Sequence, residues 1–88
     1  MVKQVRSAIW YSDPGHAWLA VPGALIRDLK IQDRISRYSY KGQDSTVYLE
    51  EDCDAPELIA AANSAGIQLV ITESRSHGDS FIRKLEHY

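Results

Sequence analysis

The chain has one cysteine, Cys53. An internal disulfide is therefore excluded, and so is a cysteine-rich zinc site. Long apolar runs are missing as well: no stretch approaches the roughly 20 residues that a helix needs to cross a bilayer. The opening MVKQVRSAIW lacks the apolar core of a signal peptide. These absences give the expectation of a cytoplasmic protein with no membrane partner. Charge of one sign is also absent. The net charge is −2, with both signs spread along the chain, so binding to duplex nucleic acid is not expected. An acidic mimic of the phosphate backbone would need far more carboxylates. No repeat, linker or low-complexity segment is present.

What remains is an ordinary globular composition in 88 residues, which makes one domain spanning residues 1–88. Such a short chain buries roughly 60–65% of its unfolded surface, so its core has little in reserve. SAIWYS has the β-branched and aromatic content of a strand. DPG follows as a turn, with proline pre-set for the bend and glycine supplying positive φ. HAWLAV is the second strand of a hairpin, with Ala17, Leu19 and Val21 on one face and His16, Trp18 and Ala20 on the other. In ALIRDLKI, the spacing of Leu25, Ile26 and Leu29 predicts a short amphipathic helix. ISRYSY predicts a strand with Tyr38 and Tyr40 on one face. The loop from Lys41 to Ser45 leads into a partner strand in which Val47 and Leu49 alternate with Thr46, Tyr48 and Glu50.

DAPE is a helix start. Asp54 reads as the N-cap, Glu57 as its capping-box partner, and Pro56 fits the first turn. LIAAANSAG continues an alanine-rich helix that Gly66 ends through positive φ. IQLVITES is a further strand with Ile67, Leu69 and Ile71 on one face. RSHGDS is a polar loop, and FIRKLEHY suits either a short helix or a terminal strand. The order ββαββαβ implies an α+β domain: a single, mainly antiparallel sheet with two helices packed on one face. The other face carries Trp18, Tyr38, Tyr40 and Tyr48, which the tail, a partner chain or a ligand must cover.

The strings WYSDPGHAWLAVP, ISRYSY and YLEEDCDAPEL resemble a family of small uncharacterised proteins encoded by bacteriophages and other mobile elements. The resemblance runs from about Trp10 to Tyr88 and carries no catalytic motif. It implies a phage accessory protein in the cytoplasm of the host cell, and by analogy of context a role in countering host defence.

Candidate chemistry is sparse. Asp13 and His16 have the residue types of an oriented general base, yet Asp before Pro-Gly is ordinary turn chemistry, and no nucleophile is fixed beside His16. Glu50, Glu51, Asp52 and Asp54 form an acidic run suited to magnesium. A hydrated strand end with Asp54 as cap is the preferred reading of them. Cys53 reads as a small buried hydrophobe before a helix. His77 and His87 have no metal-ligand spacing with His16. No catalytic residue, metal ligand or cofactor is therefore assigned.

The aromatic set carries the reading. Trp18, Tyr38 and Tyr40 with His16, Arg34 and Arg37 suit a nucleotide-type ligand, since aromatic rings stack on bases and arginines grip phosphate. The expected protein is a non-enzymatic homo-oligomer that sequesters a nucleotide-type immune signal. The alternatives are an inhibitor that caps a host protein through the same aromatic face, and a small hydrolase using Asp13, His16 or the Glu50–Asp54 run.

Overall fold

The turn at Asp13–Pro14–Gly15 organises the first hairpin. β1 (Gln4–Ser12) and β2 (Ala17–Pro22) pair antiparallel, with Trp10 opposite Leu19 and Tyr11 opposite Trp18. In this computed structural model, which describes residues 4–88, the Asp13 side chain closes the turn itself. Its Oδ1 accepts the N–H of Gly15 at 3.0 Å and of His16 at 2.9 Å. A short side-chain acceptor two or three residues ahead of those amides is what makes aspartate a turn former.

Pro22 ends β2, and α1 (Gly23–Asp28) begins at once. Gly23 donates its N–H to the Ser45 carbonyl at 2.8 Å, and a Cβ there would stand 2.9 Å from the same oxygen. The approach of two backbones requires glycine at this position. A 3-10 turn at Gln32–Arg34 follows α1. Then β3 (Tyr40–Lys41) and β4 (Thr46–Glu50) form the second hairpin. α2 (Ala55–Ser64) leads through Gly66, at φ 75°, into β5 (Ile67–Arg75). The tail contributes a 3-10 turn, Phe81–Lys84, and a two-residue strand β6 (Glu86–His87), so it holds both a helical turn and a strand.

The sheet order is β5-β1-β2-β4-β3-β6. Only β1 and β5 pair in parallel, and the other neighbours are antiparallel. β1 and β4 both oppose β2, so β4 runs parallel to β5. α2 is the crossover that a parallel return needs. The domain is thus α+β, a single mixed sheet with both helices on one face. Leu25 and Ile26 of α1 and Leu58 and Ala62 of α2 pack there on Leu19, Val21, Val47 and Leu49.

Over β2 and β4 the opposite face is covered by the chain's own tail. Ile82, fully buried, packs with Trp18, Ala20 and Tyr48, and Tyr11, Tyr40 and Leu85 border them. The tail is held by Asp13. Its Oδ2 accepts the Ser80 N–H at 2.9 Å and the Arg83 Nε–H at 2.7 Å, while Oδ1 accepts Arg83 Nη2 at 3.0 Å.

Several local expectations are corrected. Asp54 stands at the N-cap position of α2 but makes no capping hydrogen bond. Its carboxylate instead accepts the Ser36 N–H at 3.0 Å and the hydroxyls of Ser36 and Ser39. That pull folds residues 36–39 into a turn, with the Ser39 N–H on the Ser36 carbonyl at 3.3 Å. Tyr38 is therefore outside any strand, and the expected ISRYSY strand shrinks to its last residue plus Lys41. Glu50 and Asp54 are buried, not hydrated. Cys53 is exposed, not buried.

Candidate functional site

Along β2 and β4 the even-numbered residues face away from the helices. Trp18 lies directly opposite Glu50, Tyr40 opposite Tyr48, and on the next strand His87 opposite Tyr40. His16 enters from the turn before β2, and Tyr38 from the turn before β3. These elements border a depression of about 360 Å3, at the lower end of the roughly 300–1,000 Å3 of small-molecule sites. His16, Trp18, Tyr38 and Tyr40, four of the six residues singled out in the sequence, line it together with Glu50 and Asp52.

Trp18 is the buried member, 2% exposed. Arg83 sits over its ring with the guanidinium carbon 5.2 Å from the centroid, a cation–π distance. Tyr40 meets it edge-on at 6.2 Å, and the His16 ring lies 5.4 Å away. Its indole N–H has no acceptor, alone among buried side-chain polar atoms of the described residues. Tyr40 in turn stacks on His87 at 4.4 Å and 31°, and His87 Nδ1 lies 2.7 Å from the Arg37 carbonyl. Tyr38 is different: 64% of it is exposed, so its ring stands open to solvent at the edge of the depression.

The two arginines chosen from the sequence do not join this group in the same way. Arg34 lines a separate depression between α1 and α2, with Lys30 and Glu57. Arg37 adjoins the site through its carbonyl, beside Tyr38. The cation within the site is Arg83, and it is tied to Asp13, whose side chain is almost fully buried. That pairing, helped by the Ser80 N–H, holds the Asp13 carboxyl well below the usual carboxylate range and raises Arg83.

His16 is held by carboxylates. Its Nε2 contacts Glu50 Oε2, and its Nδ1 stands 3.5 Å from Glu51 Oε1. Asp13 touches only the backbone of His16, so it does not orient the imidazole as a general base. Glu50 Oε1 accepts the N–H groups of Asp52 and Cys53, each at 2.7 Å. Burial alone would raise the Glu50 carboxyl. The Cys53 N–H, the His16 ring and the Asp52 N–H outweigh it and leave Glu50 below its ordinary value. The Cys53 thiol is pushed up by desolvation and by the nearby Glu50, Asp54 and Asp52 carboxylates. It is a poor nucleophile at neutral pH, since the thiolate is the reactive form.

Sequence reasoning missed Glu50 and Asp52 as partners of His16, missed Arg83, and set His87 aside. Nothing local announced them. Glu50 lies 34 residues from His16 and Arg83 lies 70 from Asp13. No family model matches the chain, and no curated protein or solved structure matches it.

Proposed function

We propose that this protein captures a small nucleotide-type ligand in the depression between His16, Tyr38 and Tyr40, as a non-enzymatic accessory protein of the bacteriophage kind that withdraws a host defence signal. The observation that carries the reading is the convergence of His16, Trp18, Tyr38 and Tyr40 on one concave surface floored by Glu50 and Asp52. A planar base stacks on the open ring of Tyr38. Trp18 supports the floor from beneath, because Arg83 and Tyr40 already occupy its surroundings. Arg37, exposed beside Tyr38, takes the phosphate role in this reading, whereas Arg34 lies on the helix side.

The proposal includes self-association, through the sheet edge remote from the depression. β5 ends the sheet as a nine-residue edge with Val70 and Ile71 exposed, and unpaired edges of that kind accept another strand. Capping a host protein through the aromatic face is the weaker reading, because the tail buries Trp18 and Tyr48. Among the described residues no helix is long and apolar enough to cross a membrane, which is compatible with action in the host cytoplasm.

Native mass spectrometry of the protein purified from cells tests this directly. The expected result is an oligomer carrying extra mass in the nucleotide range, released chemically intact on denaturation. Release of a cleaved product would favour a hydrolase working through the His16–Glu50 pair. A bare protein that also ignores added nucleotides would overturn the proposal.

A further inference from the structure

A nucleotide in this depression faces a charge problem. Phosphate would approach Glu50, Glu51 and Asp52, while Arg83, the cation within the site, is neutralised by Asp13. Like charges at such range repel. The same residues have another property. One ligand atom each from His16, Glu50 and Asp52 lie within 4.8 Å of one another. Donor atoms around a first-row divalent cation, bound at about 2.0–2.2 Å, stand roughly 3–4 Å apart, so small side-chain movements bring the three to bonding distance.

The surroundings are arranged as in a metal centre. Two backbone N–H groups fix Glu50 Oε1, which leaves Oε2 as the free ligand atom beside His16 Nε2. Glu51 stands at the other ring nitrogen, 3.5 Å from Nδ1, where an outer carboxylate orients a ligating imidazole and raises its basicity. Ser39 in turn accepts the Glu50 N–H at 2.9 Å and donates to the buried Asp54. The donors come from two parts of the chain, the turn before β2 and the end of β4, so their meeting is a product of the fold and not of a local acidic run.

We propose that His16, Glu50 and Asp52 form a site for a first-row divalent cation, and that this cation bridges the ligand's phosphate to an otherwise repelling surface. The second half rests on the nucleotide reading given above. One imidazole with two carboxylates suits manganese or zinc better than calcium or magnesium, which favour all-oxygen sets. Three protein ligands leave positions open for phosphate oxygens, and the rim is open to admit them.

The test uses the full chain with Mn2+ and Zn2+ as probes, by titration calorimetry and, for Mn2+, electron paramagnetic resonance. The wild type is expected to bind one cation per chain. Asp52→Asn is expected to weaken binding by about tenfold or more. Asp52 is exposed and contributes only its backbone N–H to the turn, so this variant keeps the wild-type melting temperature. Absence of binding for both ions, or equal binding by Asp52→Asn, overturns the cation site. A panel of nucleotides is then titrated with the cation and with EDTA. Capture that drops tenfold or more in EDTA supports the bridge. Capture unaffected by EDTA overturns the bridge and leaves the nucleotide reading standing. Cation binding that fails in Asp52→Asn, with no nucleotide bound in either buffer, supports the cation site and overturns the nucleotide reading.

Discussion

Two aspartates show how single side chains shape this molecule. Asp13 serves the turn through Oδ1 and the tail through both oxygens. Its folded-state pKa is depressed, chiefly by Arg83. A depressed carboxyl contributes stability that is present above its ordinary value of 3.8 and is lost as the pH falls below it. The wild type should therefore lose stability from about pH 5 downward, and Asp13→Asn should be less stable at pH 7 with a flatter acid limb. Denaturant midpoints measured across that range check both. Asp54 does the equivalent for residues 36–39. Asp54→Ala strands the Ser36 N–H and the two hydroxyls, at about 1–3 kcal/mol for each buried group left without a partner. It should also disorder Tyr38, which heteronuclear relaxation would report. The sequence marked both aspartates, but for local roles only. A turn or cap is legible from a few neighbours, whereas Ser36, Ser80 and Arg83 reach these carboxylates only after folding.

The elements fall into two groups by how their information is distributed. The first hairpin, β4, α1, α2 and β5 were readable because period-2 and helical spacing, Pro56 and Gly66 encode them within a few residues. The tail was not. Phe81, Ile82 and Leu85 fit either state in isolation, and the outcome depends on Asp13 and on the aromatic face of β2 and β4. Ile82 is fully buried against that face. Ile82→Ala should cost about 2–5 kcal/mol, as buried aliphatic truncations do, and urea unfolding would measure it. A loss below about 1 kcal/mol would mean the tail is not part of the core. The registers of β2 against β4 and of β3 against β6 matter equally for the site. Trp18 facing Glu50 and Tyr40 facing His87 are cross-strand pairs, and a one-residue slip would move every one of them to the helix face.

At the scale of the whole molecule, an 88-residue chain has covered the central strands of one sheet on both faces, with two helices on one side and its own C-terminus on the other. The aromatic face expected to lie open is mostly closed, and what stays open is the concave end where His16, Tyr38, Glu50 and Asp52 meet. The sequence pointed to that region through its aromatics. It did not reveal the carboxylate floor, because the pairing of His16 with Glu50 depends on the neighbouring of β2 and β4. Tyr38 is the discriminating residue: it is exposed, outside every strand, and absent from both core clusters. Its removal should leave stability within about 0.5 kcal/mol of wild type. The most direct measurement is calorimetric titration of wild type and Tyr38→Ala with a panel of mono-, di- and cyclic nucleotides in Mn2+-containing buffer. Loss of one stacked base is worth about 1–3 kcal/mol, so a nucleotide that binds the wild type should bind Tyr38→Ala about 5- to 150-fold more weakly. Equal affinity in the two proteins, or no nucleotide bound by the wild type, would contradict the account.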